Sequence, residues 1–598
     1  MRIEDYAMIG DLHTAALVGN NGSIDWLCLP RFDSGACFAS LLGDERNGHW
    51  QLAPAGGIKN VSRRYREGTL ILETEFETED GTVLLTDFMP PRGEAPDIVR
   101  VVECTRGRVP MAMQLVIRFD YGANIPWVRR EGGDLLAITG PNALRLRTPV
   151  HSHGKDFKTV SDFVVEQGDR VPFVLSWYES HKQPPKALDG VHEVAATEKW
   201  WRKWSDRCKF EGGASEAVMT SLLVLRGLIY EPTGGIVAAP TTSLPEQLGG
   251  VRNWDYRYCW VRDATLTLYA LVMAGYVEEA GRWRDWLLRA VSGDPANMQI
   301  MYGLAGERRL TEFELDWLPG YEGSKPVRIG NKASEQFQLD VYGELADVLF
   351  AARKAGMEQH DYGWSVQAKV IEFLEASWKQ PDDGIWEVRG PRRNFTHSKV
   401  MAWAVFDRAI RGMKHFGIEG PVDRFKRLRK EIHEQICREG FDPDRNTFTQ
   451  YYGSKELDAS CLLIPQVGFL PADDPRVHGT VGAIQRELMV DGFVMRYSMD
   501  GATAGVDGLP PGEAAFLPCS FWLADALTLM GRRDEAQEVF DRLLSVRNDV
   551  GLLSEEYDTQ AKRLVGNFPQ AFTHVGLVGT AHNLADHGPA HHRSGAAD

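Results

Sequence analysis

Residues 191–208, VHEVAATEKWWRKWSDRC, divide the chain into two textures. Apolar residues recur here at helical spacing, and Trp200, Trp201 and Trp204 fall where one helix face can pack against a neighbour. Before this stretch the pattern is that of strands. Asn21-Gly22 separates apolar residues 15–18 from 24–27, and residues 69–88 alternate apolar and polar around Asp80-Gly81, so both read as hairpins. Further β-like runs follow at 98–104, 111–119, 135–146 and 171–177. Many short strands with tight turns predict an antiparallel β-sandwich over residues 1–190.

After residue 210 the period becomes helical and stays so. Amphipathic stretches run over 216–230, 262–275, 277–291, 334–355, 362–378, 396–413, 422–437, 479–489, 513–530, 533–546 and 568–585, with a weaker segment near Ser454. Short turns alternate with long Gly/Pro/aromatic loops at 239–262, 316–333, 380–395, 497–512 and 552–570. That alternation suggests helical hairpins arranged in a ring with the long loops at one mouth, although period alone does not close a ring. The expected division is a sandwich over 1–190, a linker helix over 191–212, a helical domain over 213–586 and a disordered tail over 587–598.

Composition narrows the function. A formal charge of -16 and the lack of any long Lys/Arg run argue against a nucleic-acid partner. The eight cysteines are scattered without the close pairs or His-rich spacing of a zinc site, so no metal and no disulfide framework is expected. The first ten residues carry acidic groups where a signal peptide has an apolar run, and no stretch approaches the ~20 apolar residues of a membrane span. A cytoplasmic protein with no membrane partner is the expectation. The 17 Trp suit the apolar faces of sugar rings, although indoles fill cores equally well.

Two distant segments each set a carboxylate among aromatic and turn residues: Asp383-Gly384-Ile385-Trp386-Glu387, and residues 553–558, which contain Glu555 and Glu556. Hydrolysis of a glycosidic bond asks for such a pair, one carboxyl to protonate the leaving oxygen and one carboxylate to activate water or attack carbon. With 83 Asp and Glu in the chain, the same residues also read as solvated helix ends.

Five stretches decide between these readings. Residues 249–264 (GGVRNWDYRYCWVRDA), 330–344 (GNKASEQFQLDVYGE), 384–387 (GIWE), 516–522 (FLPCSFW) and 566–572 (GNFPQAF) resemble motifs of glycoside hydrolase family 15, the glucoamylase and trehalase family. Ile9-Gly10-Asp11 and residues 22–27 are similar to the bacterial branch with a trehalase-like N-terminal domain. The resemblance spans nearly the whole chain. It implies a multidomain α+β fold, an N-terminal antiparallel β-sandwich followed by an (α/α)6 barrel, and an inverting, exo-acting α-glucoside hydrolase.

Carried over residue by residue, the resemblance implies that Glu387 is the general acid and Glu555 the general base, with Glu556 the alternative base. It implies that Arg262 and Asp263 grip the terminal glucose, with Tyr256, Trp260, Trp386, Arg496 and Trp317 as further substrate contacts. Lys399 and His397 are weaker picks; His397 reads at least as well as a structural histidine, and Trp317 also reads as core packing. Where fungal starch-degrading members carry Gly-Ser-Trp over the site, this chain reads Gly323-Ser324-Lys325, which weakens the case for long starch chains. Trehalose is therefore favoured narrowly over maltose- or isomaltose-type oligosaccharides, and no cofactor is expected. A disaccharide phosphorylase and a non-catalytic sugar-binding protein are the readings from other classes; a Glu at 555 argues against the first. Sandwich edges or outer helices leave room for a homodimer, with no decisive patch.

Overall fold

The computed structural model describes residues 1–357, 361–498, 506–510, 512–585 and 588–595. Part of the loop expected over 497–512, and residues 586, 587 and 596–598, lie outside the described residues.

The N-terminal region is an antiparallel sheet folded into two layers about one long strand, Asp97–Val116. The first half of that strand pairs with Gly81–Phe88 and Arg170–Glu179; the second half pairs with His49–Pro54 and Lys158–Glu166. Two separate runs at 98–104 and 111–119 are thus one strand. Gly107, at φ +72°, and the register shift beside it bend the chain from one layer into the other without breaking it. The run at 135–146 is conversely two strands, Asp134–Thr139 and Asn142–Arg147, joined through Gly140 at φ +52°. Both predicted hairpins form, at Gly22 (φ +80°) and at Asp80-Gly81. Trp26, Trp50, Phe76 and Leu85 are buried between the layers.

Helix α1 (Gly190–Ser205) follows, capped by Asp189, which accepts from the Val191 and His192 amides. Its indoles dock it on the second domain: Trp204 stacks on Tyr276 at 4.1 Å and donates to Glu279 at 2.7 Å. The second domain contains α2 (Ser215–Gly227), α3 (Ala264–Met273), α4 (Val277–Ala290), α5 (Asp340–Lys354), α6 (Asp361–Ser377) and α7 (Thr396–Phe416). It continues through α8 (Val422–Glu439), α9 (Leu463–Gln466), α10 (Pro475–Glu487), α11 (Leu517–Leu529), α12 (Arg533–Ser545), α13 (Ala571–Leu584) and α14 (Pro589–Ser594).

The ring closes. Helices α3, α5, α7, α9, α11 and α13 each pack against the next, and α13 returns to α3. Helices α4, α6, α8 and α12 back α3, α5, α7 and α11, α2 backs α13, and α10 backs the turn Ala459–Leu462 that leads into α9. Sequence separates the two layers. Residues Leu517 to Thr528 of α11 are buried throughout, as an inner helix requires, whereas α8 buries only Phe425, Ile432 and Ile436 along one stripe. No helix forms at Ser454, which lies in a loop; the short α9 begins only at Leu463 and is ended by Gly468 (φ +77°).

The tail is a correction. Residues 588–595 are not frayed: α14 packs against α13, α11, α9 and α3, and Arg593 is 1% exposed. Inside the ring its guanidinium meets Glu344 at 3.2 Å and Asp347 at 2.5 Å, both on α5. A histidine-rich, small-residue composition masked this anchor, because one buried ion pair leaves no periodic signal. No helix among the described residues is long and apolar enough to cross a membrane.

Candidate active site

Each long loop precedes an inner helix, so all five open at the same end of the ring, where helix N-termini face the cleft. The cleft is lined by Glu246, Trp254, Tyr256, Arg262, Trp386, Glu387 and Arg496 among others. The sandwich braces the loop before α3: Trp26 donates to the Pro240 carbonyl at 2.8 Å, and Arg257 donates to the Ser34 carbonyl at 3.0 Å. Arg257 also forms a buried two-pronged pair with Asp255, whose other partner is the Gly330 amide. Tyr256 and Trp260 are thereby fixed on either side of a rigid charged anchor.

Glu387 stands on a tight turn. Its amide donates to the Gly384 carbonyl at 3.1 Å, and its own φ of +55° is left-handed. Such a conformation costs a bulky residue of order 1–3 kcal/mol and persists only where surroundings enforce it. Here Asp382 accepts from the Leu339 and Gly384 amides, Asp383 accepts from the Phe337 amide, and Gln336 donates to the Glu387 and Val388 carbonyls. The carboxylate so presented accepts from Trp260 Nε1 at 2.7 Å and from Arg262 Nη2 at 3.0 Å. Arg262 also donates to the Ile385 carbonyl at 2.7 Å, tying the turn to the start of α3.

Glu555 is fully buried beside the same cleft. Its Oε1 accepts from the Tyr256 hydroxyl at 2.5 Å and its Oε2 from the Asn567 amide at 3.0 Å. Gly566 makes that approach achievable: at φ +76°, a Cβ there would stand 2.7 Å from both Glu555 Cβ and Oε2. Glu556 points elsewhere, accepting from the Ala514 amide at 2.9 Å and lying 2.6 Å from Arg496.

Arg496 is the hub of a buried charge cluster that includes Glu246, Glu513, Glu555 and Glu556. Burial works against its charge, but these carboxylates raise its pKa and keep it protonated. Burial raises the Glu555 carboxyl to about 7; Glu246 adds to the rise, while Arg496, the Tyr256 hydroxyl and the Asn567 amide oppose it. Burial likewise pushes Glu556 well above the carboxylate range. Glu246, Glu555 and Glu556 each offer one oxygen within 4.8 Å of the others, a group of cation-binding type, and the Arg496 guanidinium supplies positive charge there.

Asp263 is largely buried beside Arg262; its Oδ1 lies 3.8 Å from Arg262 Nε and accepts no hydrogen bond among the described residues. Burial raises it to about 7, against the pull of Arg262. Trp386 donates to both oxygens of Asp458 at 3.0 Å and packs on Phe516 and Trp522, forming a wall of the cleft. Trp317 does not join the cleft. Its half-exposed indole donates to the Tyr121 carbonyl of the sandwich at 3.0 Å, so its aromatic character serves the domain junction. His397 is buried at the start of α7 with neither ring nitrogen hydrogen-bonded among the described residues, and burial lowers it to about 3. Lys399 donates to the Trp378 and Gln380 carbonyls and holds the loop that carries Glu387. Reading the sequence missed Glu246 and Glu513, because isolated acidic residues in loops carry no spacing signal.

Comparison with known proteins agrees with this architecture. Residues 212–582 match "Glycosyl hydrolases family 15", and residues 1–171 match "Trehalase-like, N-terminal". A trehalase of Thermoplasma volcanium is 36% identical over 98% of this chain and 94% of its own. A trehalase of Mycobacterium tuberculosis is 38% identical over 96% of this chain and 88% of its own. A bacterial glucoamylase, solved in complex with acarbose, superposes with a TM-score of 0.73 over 99% of this chain and 94% of that one, at 13% identity. That likeness carries the sandwich-plus-barrel fold across strong sequence divergence, and the first two matches carry the family: the chain belongs to the glycosyl hydrolases of family 15.

Proposed function

We propose that this glycoside hydrolase cleaves trehalose by a single inverting displacement, with Glu387 as general acid and Glu555 as general base. The observation that carries the assignment is the pair of hydrogen bonds from Tyr256 to Glu555 and from Trp260 to Glu387, which sets one carboxylate on each of two neighbouring aromatic residues of one loop. Glu387, on its left-handed turn, delivers the proton to the glycosidic oxygen. Glu555 takes a proton from water as that water attacks the anomeric carbon from the opposite face. A base must be ionised, and the Tyr256 hydroxyl and Asn567 amide stabilise its charged form.

Arg262 and Asp263, whose Oδ1 accepts no hydrogen bond among the described residues, supply donors and an acceptor for adjacent hydroxyls of the terminal glucose, which supports exo action. Glu556 is held by Arg496 and the Ala514 amide, an arrangement that suits a structural hydrogen-bonding role. The trehalases at 36% and 38% identity over nearly the whole chain support trehalose over malto- or isomalto-oligosaccharides. A cytoplasmic location is part of the same reading, supported by eight cysteines that are all free thiols.

The test is incubation with trehalose, maltose, isomaltose and maltotetraose, with and without phosphate, following the released anomer by proton NMR. Fastest turnover of trehalose, yielding equal α- and β-glucose at first because water inverts only the cleaved half, is the expected result. Release of glucose 1-phosphate would make the protein a phosphorylase, and α-glucose alone would exclude inversion.

A further inference from the structure

A second pocket lies in the sandwich, remote from the carboxylates, between the edge strand Trp127–Glu131 and the hairpin of His153–Lys155 with Lys158–Glu166. Its floor is apolar, with Leu115, Ile117, Pro126, Val128 and Leu135. Its charged lining is Arg118, Arg129, Arg130, Lys155 and Lys158 against the single carboxylate Asp156; just outside it Lys158 lies 3.4 Å from Glu45 and Arg129 3.8 Å from Glu131, so the excess of positive charge rests on Arg118, Arg130 and Lys155. In a chain of net charge -16 such a concentration runs against the general field.

Two details exceed what folding requires. Arg118 is 8% exposed, yet its guanidinium meets only the Ile117 and Phe157 carbonyls, at 2.8 and 3.2 Å, and no ion pair forms among the described residues. A buried guanidinium normally has a carboxylate, and an unpaired one is costly. Phe157, meanwhile, sits at φ +59° in the two-residue turn after Asp156, a place that favours Gly or Asn, and is 80% exposed at the pocket rim. The turn closes the hairpin and its Phe157 carbonyl serves Arg118, but neither role asks for a large aromatic ring held in water.

We infer that this pocket binds a small organic anion, a phosphate or carboxylate head on an apolar body, with Arg118, Lys155 and Lys158 around the head and Phe157 over the body. A second copy of the chain fits poorly, because antiparallel pairing of the edge strand with itself sets Arg129 against Arg129. The site is separate from the glycoside cleft, so its failure would leave the proposed hydrolysis untouched.

Isothermal titration of the full chain with phenyl phosphate, inorganic phosphate and benzyl alcohol tests it. Phenyl phosphate is expected to bind with a Kd of about 0.1–1 mM, the range a ligand of this size reaches, and the other two at least about tenfold more weakly. Phe157→Gly relaxes the turn and keeps the fold, and is expected to weaken phenyl phosphate several-fold; the surface double variant Lys155→Glu/Lys158→Glu is expected to weaken it by about tenfold or more. All of these variants should hydrolyse glycoside at the wild-type rate. No binding of phenyl phosphate, equal binding of inorganic phosphate, or affinity unchanged in both variants would overturn the proposal.

Discussion

Tyr256 and Trp260 stand edge to face with ring centroids 5.2 Å apart, and each gives its polar hydrogen to a different carboxylate of the proposed pair. One four-residue step of a loop therefore sets the acid and the base relative to each other. Tyr256→Phe removes a hydrogen bond that lowers the Glu555 pKa, so that pKa should rise further. As the proposed base Glu555 must act ionised, so kcat/KM of the wild type should fall as pH drops through about 7, the value its carboxyl reaches. The variant should shift that acid limb to higher pH and lower kcat by about tenfold or more. The apparent value belongs to the cluster with Glu246, Glu513 and Glu556. A pH–rate profile with an unmoved acid limb would refute the bridge.

Replacing Glu387 or Glu555 by Gln should each lower kcat by about a thousandfold or more with an unchanged circular dichroism spectrum. Glu556→Gln separates the two adjacent candidates. It withdraws one of several carboxylates from Arg496, so it should lower the melting temperature more than it lowers turnover. A thousandfold loss at 556 with activity retained at 555 would exchange their roles.

Asp263→Asn keeps the shape beside Arg262 but replaces a charged acceptor by a neutral amide. A hydrogen bond from substrate to a charged group contributes about 1.5–3 kcal/mol, so kcat/KM should drop about 10- to 100-fold. Steady-state kinetics on trehalose check this, and an unchanged kcat/KM would remove Asp263 from the sugar site.

The two-layer sandwich and the helical ring were legible because they rest on period: alternation in residues 69–88 and 3.6-residue spacing after 210. Closure of the ring was not, since the packing of α13 on α3 joins segments some 300 residues apart. The turn and aromatic neighbours of Glu387 and Glu555 left open whether they are solvated helix ends, and it was the family resemblance that singled out these two and Arg262-Asp263 as the proposed site. Trp317 misled because an indole in a loop looks alike whether it faces a sugar or a neighbouring domain. Glu246 and Glu513 were invisible because their meaning comes from Arg496, a long-range partner.

Asp525, on α11, accepts from Asn583 Nδ2 at 2.7 Å, and burial raises its pKa to about 7. The folded state holds this proton between about pH 4 and 7 while the unfolded chain releases it, so the stability it confers is present at low pH and is lost as pH rises through about 7. Asp525→Asn carries no such proton. Its stability relative to wild type should grow with pH across that window, reaching an advantage of about 2–4 kcal/mol at pH 8. Urea denaturation at pH 5 and pH 8 measures the difference, and an advantage that is equal at both would refute the protonated carboxyl.

Arg593 ties the last helix into the ring by neutralising Glu344 and Asp347. Asp347 keeps a second cation in Arg408, at 2.5 Å, whereas Glu344 depends on Arg593. Arg593→Met preserves bulk but leaves Glu344 buried without its counter-charge, which should cost about 3–5 kcal/mol. The Glu344 pKa, already raised by burial, should rise further, so the loss should deepen as pH rises. If the orphaned carboxylate is the cause, adding Glu344→Gln should restore much of the stability, and the double-mutant cycle should show strong coupling. Additive losses in the two single variants would mean that α14 is held by its apolar contacts and that the ion pair is incidental.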